Sequence, residues 1–137
     1  MSAPYSAIRS AFVTRLQSFP ALPSVAWENI AFTPLTGVPY LRPALLPGEP
    51  TQAEIGTAGA NRHTGIYQIS IYAPTGAGLA AINALRDGLI DHFKRGTTLA
   101  YSGLTIRVEK AFTGPTMQET DWLHIPISIR YRVDTAN

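Results

Sequence analysis

The chain has 137 residues, no cysteine, and 11 Lys plus Arg against 9 Asp plus Glu, for a formal charge of +2. That length suits one domain, 1–137, with its own core, and the lack of cysteine excludes disulfides, thiolate catalysis and cysteine-ligated metal centres. Only 15% of residues are charged against about 25% in a typical domain; the basic residues, of which two are Lys, are scattered rather than gathered as in a nucleic-acid-binding module, and a low-charge surface fits one covered by partners.

No apolar run is long enough to span a membrane, and the start lacks a basic segment followed by an apolar one, so a soluble protein without a signal peptide is expected. Residues 4–19 read as a first helix: Ile8, Ala11, Phe12, Leu16 and Phe19 form one stripe, with Arg9, Arg15 and Gln17 away from it. Ser2 is placed as its N-cap, with Pro4 in the first turn and Pro20 at the stop. Residues 25–32, with Trp27 and Ile30, read as a short strand and 33–37 as a turn. A strand follows over 40–46, in which Pro43 has no N–H to give a ladder and so implies a sheet edge or a bulge.

Residues 47–61, PGEPTQAEIGTAGAN, hold three Gly and two Pro and no periodicity. They read as a long exposed loop, a feature that in compact domains is functional or unordered. As an arm it offers Glu49 and Glu54, with Arg62 and His63 just beyond, as candidate partner contacts. The stretch 62–95 then carries the clearest unit of the chain. Tyr67, Ile69 and Ile71 alternate with Gln68 and Ser70 as in a half-buried strand. Pro74 and Thr75 read as a turn and an N-cap, and Leu79, Ile82, Leu85, Leu89 and Phe93 form the stripe of a second helix.

Residues 97–101 form a short strand candidate, and after a Ser102-Gly103 turn Leu104, Ile106 and Val108 alternate with Thr105, Arg107 and Glu109. The last strand has Leu123, Ile125, Ile127, Ile129, Tyr131 and Val133 on one face, and Trp122, His124, Pro126, Ser128, Arg130 and Arg132 on the other. Pro126 again implies an edge or a bulge. This order predicts an α+β fold, a largely antiparallel β-sheet with two helices packed on one face.

Chemistry is harder to find. Residues 76–81, Gly-Ala-Gly-Leu-Ala-Ala, follow a strand, open a helix and fit the loose form of the dinucleotide fingerprint, in which the glycines let a pyrophosphate approach the helix N-terminus. The run of alternating strands and helices that the fingerprint belongs to is absent, and Thr97, Thr98 and Leu99 stand where an acidic ribose partner belongs. No cofactor is therefore expected, and nucleotide binding through the 76–81 turn is set aside. His63, His92 and His124 fall on a loop, a helix and a strand without metal-ligand spacing. Asp87 and Asp91 share a solvated helix face, and the remaining carboxylates have no partner set by spacing. No catalytic or metal residues are assigned. If their strands pair, Arg107, Arg130 and Arg132 line one face as a basic strip for phosphate or an acidic partner; the plainer reading is solvent-facing arginines balanced by Glu109 and Asp134.

Taken together, the opening helix, the Pro-rich strand, the long Gly/Pro loop, GIYQISIYAPTGAGLAAINALRDGLIDHF and the closing LHIPISIRYRV resemble the small tail terminator (tail completion) proteins of long-tailed phages and prophages. The resemblance covers nearly the whole chain and transfers no catalytic residue. It implies a homo-oligomer, usually a hexameric ring, that caps the tail tube and offers a surface to the head–tail connector protein, with DNA only passing through the lumen. It implies a place in the virion tail, and in the host cytoplasm during assembly. A head–tail joining protein of similar size has the same features.

Overall fold

The computed structural model describes residues 4–52, 60–76 and 78–136. In chain order the elements are α1 (Tyr5–Gln17), β1 (Ser24–Val25), β2 (Tyr40–Pro47), β3 (Thr51–Gln52), β4 (Ala60–Pro74), α2 (Ala80–His92), β5 (Thr98–Tyr101), β6 (Leu104–Thr113), β7 (Met117–Gln118) and β8 (Trp122–Ala136). This is the α+β class expected. The strands form one sheet in the order β1-β2-β4-β8-β6-β5, with β3 beside β4 and β7 beside β8. Only β1 and β2 run parallel; the other pairings are antiparallel.

The spine is β4 against β8, paired from Ala60 with Ala136 to Pro74 with Trp122. Side chains alternate along a strand, so the odd-numbered residues of both share a face. Tyr67, Ile69, Ile71, Ile125, Ile127, Ile129 and Tyr131 on that face are all fully buried. Phe12 of α1 stacks on Tyr67 at 4.7 Å between ring centres, and lies 5.5 Å from Tyr131 and 6.1 Å from Phe93. Residues of both helices and of the odd-numbered face thus share one core. Burial pushes the Tyr67 phenol well above its ordinary value and that of Tyr131 up to about 12. Neither hydroxyl has a hydrogen-bond partner among the described residues.

The two helices are tied at their C-terminal ends. Arg15 donates from Nη2 and Nε to the His92 carbonyl at 2.8 and 3.2 Å, satisfying an orphan carbonyl at the negative end of a helix. His92 answers through Nε2, 2.8 Å from the Arg15 carbonyl; a carbonyl only accepts, so Nε2 carries the proton. Gly88 leaves room for Phe19, whose ring carbon a Cβ there would approach to 3.1 Å.

Several local expectations change. The strand over 25–32 shrinks to β1, because Ala26 donates to the Leu41 carbonyl at 2.7 Å and the chain then leaves the sheet. Thr75 is not the cap of α2: helix begins at Ala80, with Leu79 at the cap position and 52% exposed rather than in the stripe. Gly76 and Gly78, both with φ in the left-handed region, take up that turn. Ser2 lies outside the described residues. Of 47–61, Pro47, Thr51, Gln52, Ala60 and Asn61 are in strands, while 53–59, Glu54 included, lie outside the described residues. Ser102 and Gly103 make the expected turn, both with positive φ between the Tyr101–Leu104 pair, the geometry of a two-residue hairpin.

The prolines obey their chemistry in two ways. Within a strand, N–H and C=O of one residue point to the same side, and the side reverses at each step. The Leu41 carbonyl faces β1, so Pro43 also faces away from β4, past the end of β1 and at the sheet edge. Pro126 corrects the edge expectation, since β8 is flanked by β4 on one side and by β6 and β7 on the other. Its carbonyl accepts from Gly114 at 2.7 Å, so its donor-less nitrogen faces the interval between β6 and β7. A single bulge in β6 shifts the register, Val108 lying opposite Tyr131 but Lys110 opposite Arg130. Without it, Lys110 would face Ile129 on the buried side, a placement that strongly disfavours the unbulged register.

Candidate interaction face

The even-numbered residues of β2, β4 and β8 make the second face of the sheet, and it divides into three zones. At one end the register Tyr40–Tyr72–His124 stacks three rings in a row, at 4.8 and 4.5 Å between centres and 4° between planes. Trp122 meets Tyr40 edge-on at 5.2 Å and Phe32 flanks it at 5.0 Å. Such pairs each add about 0.5–1.5 kcal/mol beyond burial. Glu119 lies 3.9 Å from His124 Nδ1. The middle is small and polar: Ala44 opposite Gln68 opposite Ser128, then Arg42 opposite Ser70 opposite Pro126.

The far end is basic. Arg107 lies directly opposite Arg132, and beyond the bulge Lys110 lies directly opposite Arg130. Lys110 Nζ and the Arg130 guanidinium sit 5.1 and 5.9 Å from the Phe112 ring centre, within cation–π range. Arg62 on β4 donates to Asp134 at 3.0 and 3.3 Å. That hydrogen bond, with the charges of Arg62, Arg132 and Arg107, holds the Asp134 carboxyl below its usual range. Among the described residues, five cations against Asp134 and Glu109 give this end a local +3, more than the +2 of the whole chain. The charge that looked scattered in sequence is concentrated in space.

The other sequence-predicted residues fare differently. Glu49 is exposed between β2 and β3. His63 is not on a loop but in β4, 7% exposed, with Nε2 3.0 Å from Thr135 Oγ1 and Tyr5 edge-on at 6.0 Å. It belongs to the interior of the strand pair. Lys110 and Phe112 join the strip although sequence alternation missed them; their signal is the broken pattern Val108-Glu109-Lys110-Ala111-Phe112, in which a bulge resets the count.

The glycine turn before α2 borders a cleft of about 180 Å³, lined by Gly37, Pro39, Ile71, Ala73, Pro74, Gly78, Ala81, Ile82 and Leu85. A second, shallow cleft of about 350 Å³ lies on the other side of the turn, among Thr75, Gly76, Leu79, Gln118 and Leu123, and neither cleft is lined by a charged side chain that could hold a phosphate. Next to it, exposed Val38, Leu79 and Met117 come from three segments that meet around the same turn. Among the described residues, no three His, Asp or Glu side chains gather as a metal would need, and no helix is long and apolar enough to cross a membrane.

The profile described as "Phage tail terminator protein" matches residues 7–131. No curated protein matches the chain. A solved chain that carries no functional name is 29% identical, with TM-score 0.75 over 97% of this chain and 96% of its own. A chain from the virion of a native gene transfer agent particle shares the fold at TM-score 0.67 and 22% identity, over 98% of this chain and 100% of its own.

Proposed function

The chain belongs to the phage tail terminator protein family, and from that premise we propose that it assembles as a homo-oligomeric ring, hexameric in place, on the end of the tail tube. It is a structural protein of the phage tail. In the proposed role the ring stops tube growth and presents a surface to the head–tail connector, with DNA passing through its lumen; no reaction is catalysed and no cofactor is used. Assembly takes place in the host cytoplasm and ends in the virion tail.

The observation that carries this reading is the family match, which runs from the first turn of α1 to Tyr131 in β8. The fold shared with a gene transfer agent virion chain supports it. Three features of the chain suit a ring subunit. Both helices, read as covering the odd-numbered face, leave the even-numbered face for contacts. The exposed side chains of Val38, Leu79 and Met117, beside the half-buried aromatic row, offer apolar surface to a partner. Glu49, exposed between β2 and β3, serves in this role as a contact for a neighbouring subunit.

The test is electron microscopy of tubes polymerised from the cognate tail tube protein with and without this chain. Rings at tube ends and a fixed tube length are expected. Tubes that grow unchecked in stoichiometric excess of the chain would refute the terminator role. Binding to the connector alone, with tube ends ignored, would instead assign a head–tail joining role.

A further inference from the structure

We propose that the basic strip of β6 and β8 is a contact for the phosphate backbone of duplex DNA. This goes beyond the tail-terminating role and needs neither a ring nor a tube.

The argument starts from a cost. Like charges placed directly opposite on paired strands destabilise a sheet, and here two such pairs, Arg107–Arg132 and Lys110–Arg130, lie side by side on one face. The nearby carboxylates do not cancel them. Asp134 is engaged by Arg62 at 3.0 Å, and among the described residues Glu109, exposed in the bulge, is the one other carboxylate beside the strip. Arg107, Lys110 and Arg130 are exposed, so their charge faces outward. An arrangement that weakens the free fold is favoured again once an anion lies over it.

The shape decides which anion. The strip is two cations wide, and its pairs are about 6.6 Å apart along the strand, twice the rise per residue. The clefts beside Trp27, beside Ile82 and on either side of Thr75 include none of these cations, and Arg107, Lys110 and Arg130 stand exposed on a strand surface. An open rail instead fits an extended polyanion, and each strand of duplex DNA offers a phosphate about every 3.4 Å of its axis. Three of the four paired cations are Arg, whose planar fork matches phosphate oxygens in bidentate fashion. Phe112 lies beneath Lys110 and Arg130 and holds both heads in place before the ligand arrives. A contact made to phosphates alone is independent of sequence.

The test is fluorescence anisotropy of a labelled mixed-sequence duplex titrated with the full chain, beside a thermal melt of the same samples. Four phosphate contacts predict an affinity that falls about 100-fold between 50 and 200 mM salt. Arg107→Glu has two opposite effects: it turns a repulsive pair into an attractive one and raises Tm by about 1–4 °C, yet it weakens DNA binding by about tenfold or more and makes the salt slope shallower. Lys110→Gln, a milder change, reduces the slope by about one unit. The proposal is overturned if the parent chain fails to bind the duplex at 50 mM salt, if neither variant alters binding, or if Arg107→Glu lowers Tm. Competition by polyglutamate at equal charge, as strong as by DNA, would overturn it in favour of an acidic protein partner. A chain that fails to cap tubes but passes this test retains the DNA contact, so the two readings fail separately.

Discussion

Gly65 is the position where the fold tolerates least. It sits in β4 between Pro47 on one side and Tyr131 on the other. A Cβ there would lie 2.6 Å from the Tyr131 hydroxyl, 2.9 Å from its Cζ and 2.7 Å from the Leu46 carbonyl oxygen. The phenol is fully buried and cannot swing aside, and the carbonyl is backbone, so β2 and β4 must part. Overpacking costs about 1–3 kcal/mol, and each ladder bond stretched adds about 1 kcal/mol. Against this stands a gain of about 0.5–1 kcal/mol from replacing Gly in a strand. Gly65→Ala is therefore expected to lose about 2–3 kcal/mol, or roughly 8–12 °C in Tm for a chain this size. Tyr131→Phe alone removes a hydroxyl that has no partner among the described residues and should be near neutral. In the double variant it relieves the hydroxyl clash but not the carbonyl one, giving a coupling of about 0.5–1.5 kcal/mol by denaturant unfolding. A Gly65→Ala chain as stable as its parent, or strict additivity with Tyr131→Phe, would refute this account of why glycine stands there.

Two further outcomes follow from the same reasoning. The Asp134 carboxyl is held below its ordinary 3.8 by Arg62, so its contribution exists above that value and is lost as pH falls through the depressed one. Asp134→Asn should thus be less stable than the parent at neutral pH, with the gap closing only as pH falls below the ordinary carboxylate value of 3.8 and shrinking in salt, as for any surface pair; a gap that widens on acidification would contradict the assignment. Pro43→Val should restore an outward N–H on β2 and promote association seen by sedimentation velocity, at a stability cost within about 1 kcal/mol; an unchanged distribution would show that residues 26–31 already shield that edge.

The parts of the fold legible in sequence were those in which one physical rule dominates. Ile125 to Val133 and Tyr67 to Ile71 alternate because one side is wholly buried, and Ile8 to Leu16 repeat at helical spacing for the same reason. The misreadings arose where two rules compete. Trp27 and Ile30 have strand composition, but Ala26 spends its N–H on Leu41 and the chain turns out of the sheet. Thr75 has capping chemistry, but Gly76 and Gly78 bend the chain so that helix starts five residues later, at Ala80. Pro126 signalled a missing donor correctly; that the gap lies between β6 and β7, inside a flanked strand, depends on pairings that no local pattern encodes. The basic strip was half legible. Arg107, Arg130 and Arg132 were visible as strand residues, whereas Lys110 needed the bulge to be known first.

The two prolines of β2 also restrict symmetry. Pro43 and Pro47 fall on the side of the strand turned away from β4, so of the outward-facing donors beyond β1 only Leu45 keeps its N–H. At the opposite end of the sheet, Ala111 and Thr113 of β6 turn outward past the end of β5 with their donors intact. Two copies meeting β2 to β2 about a dyad would set carbonyls against proline nitrogens and gain almost no ladder, so a twofold sheet-extended dimer through this edge is disfavoured. What the edges permit is unlike meeting unlike, the heterologous joint whose repetition closes a ring or extends a helix. In that sense the polarity of assembly is already present in a single subunit, as an asymmetry between an edge left with one donor and one that keeps its donors.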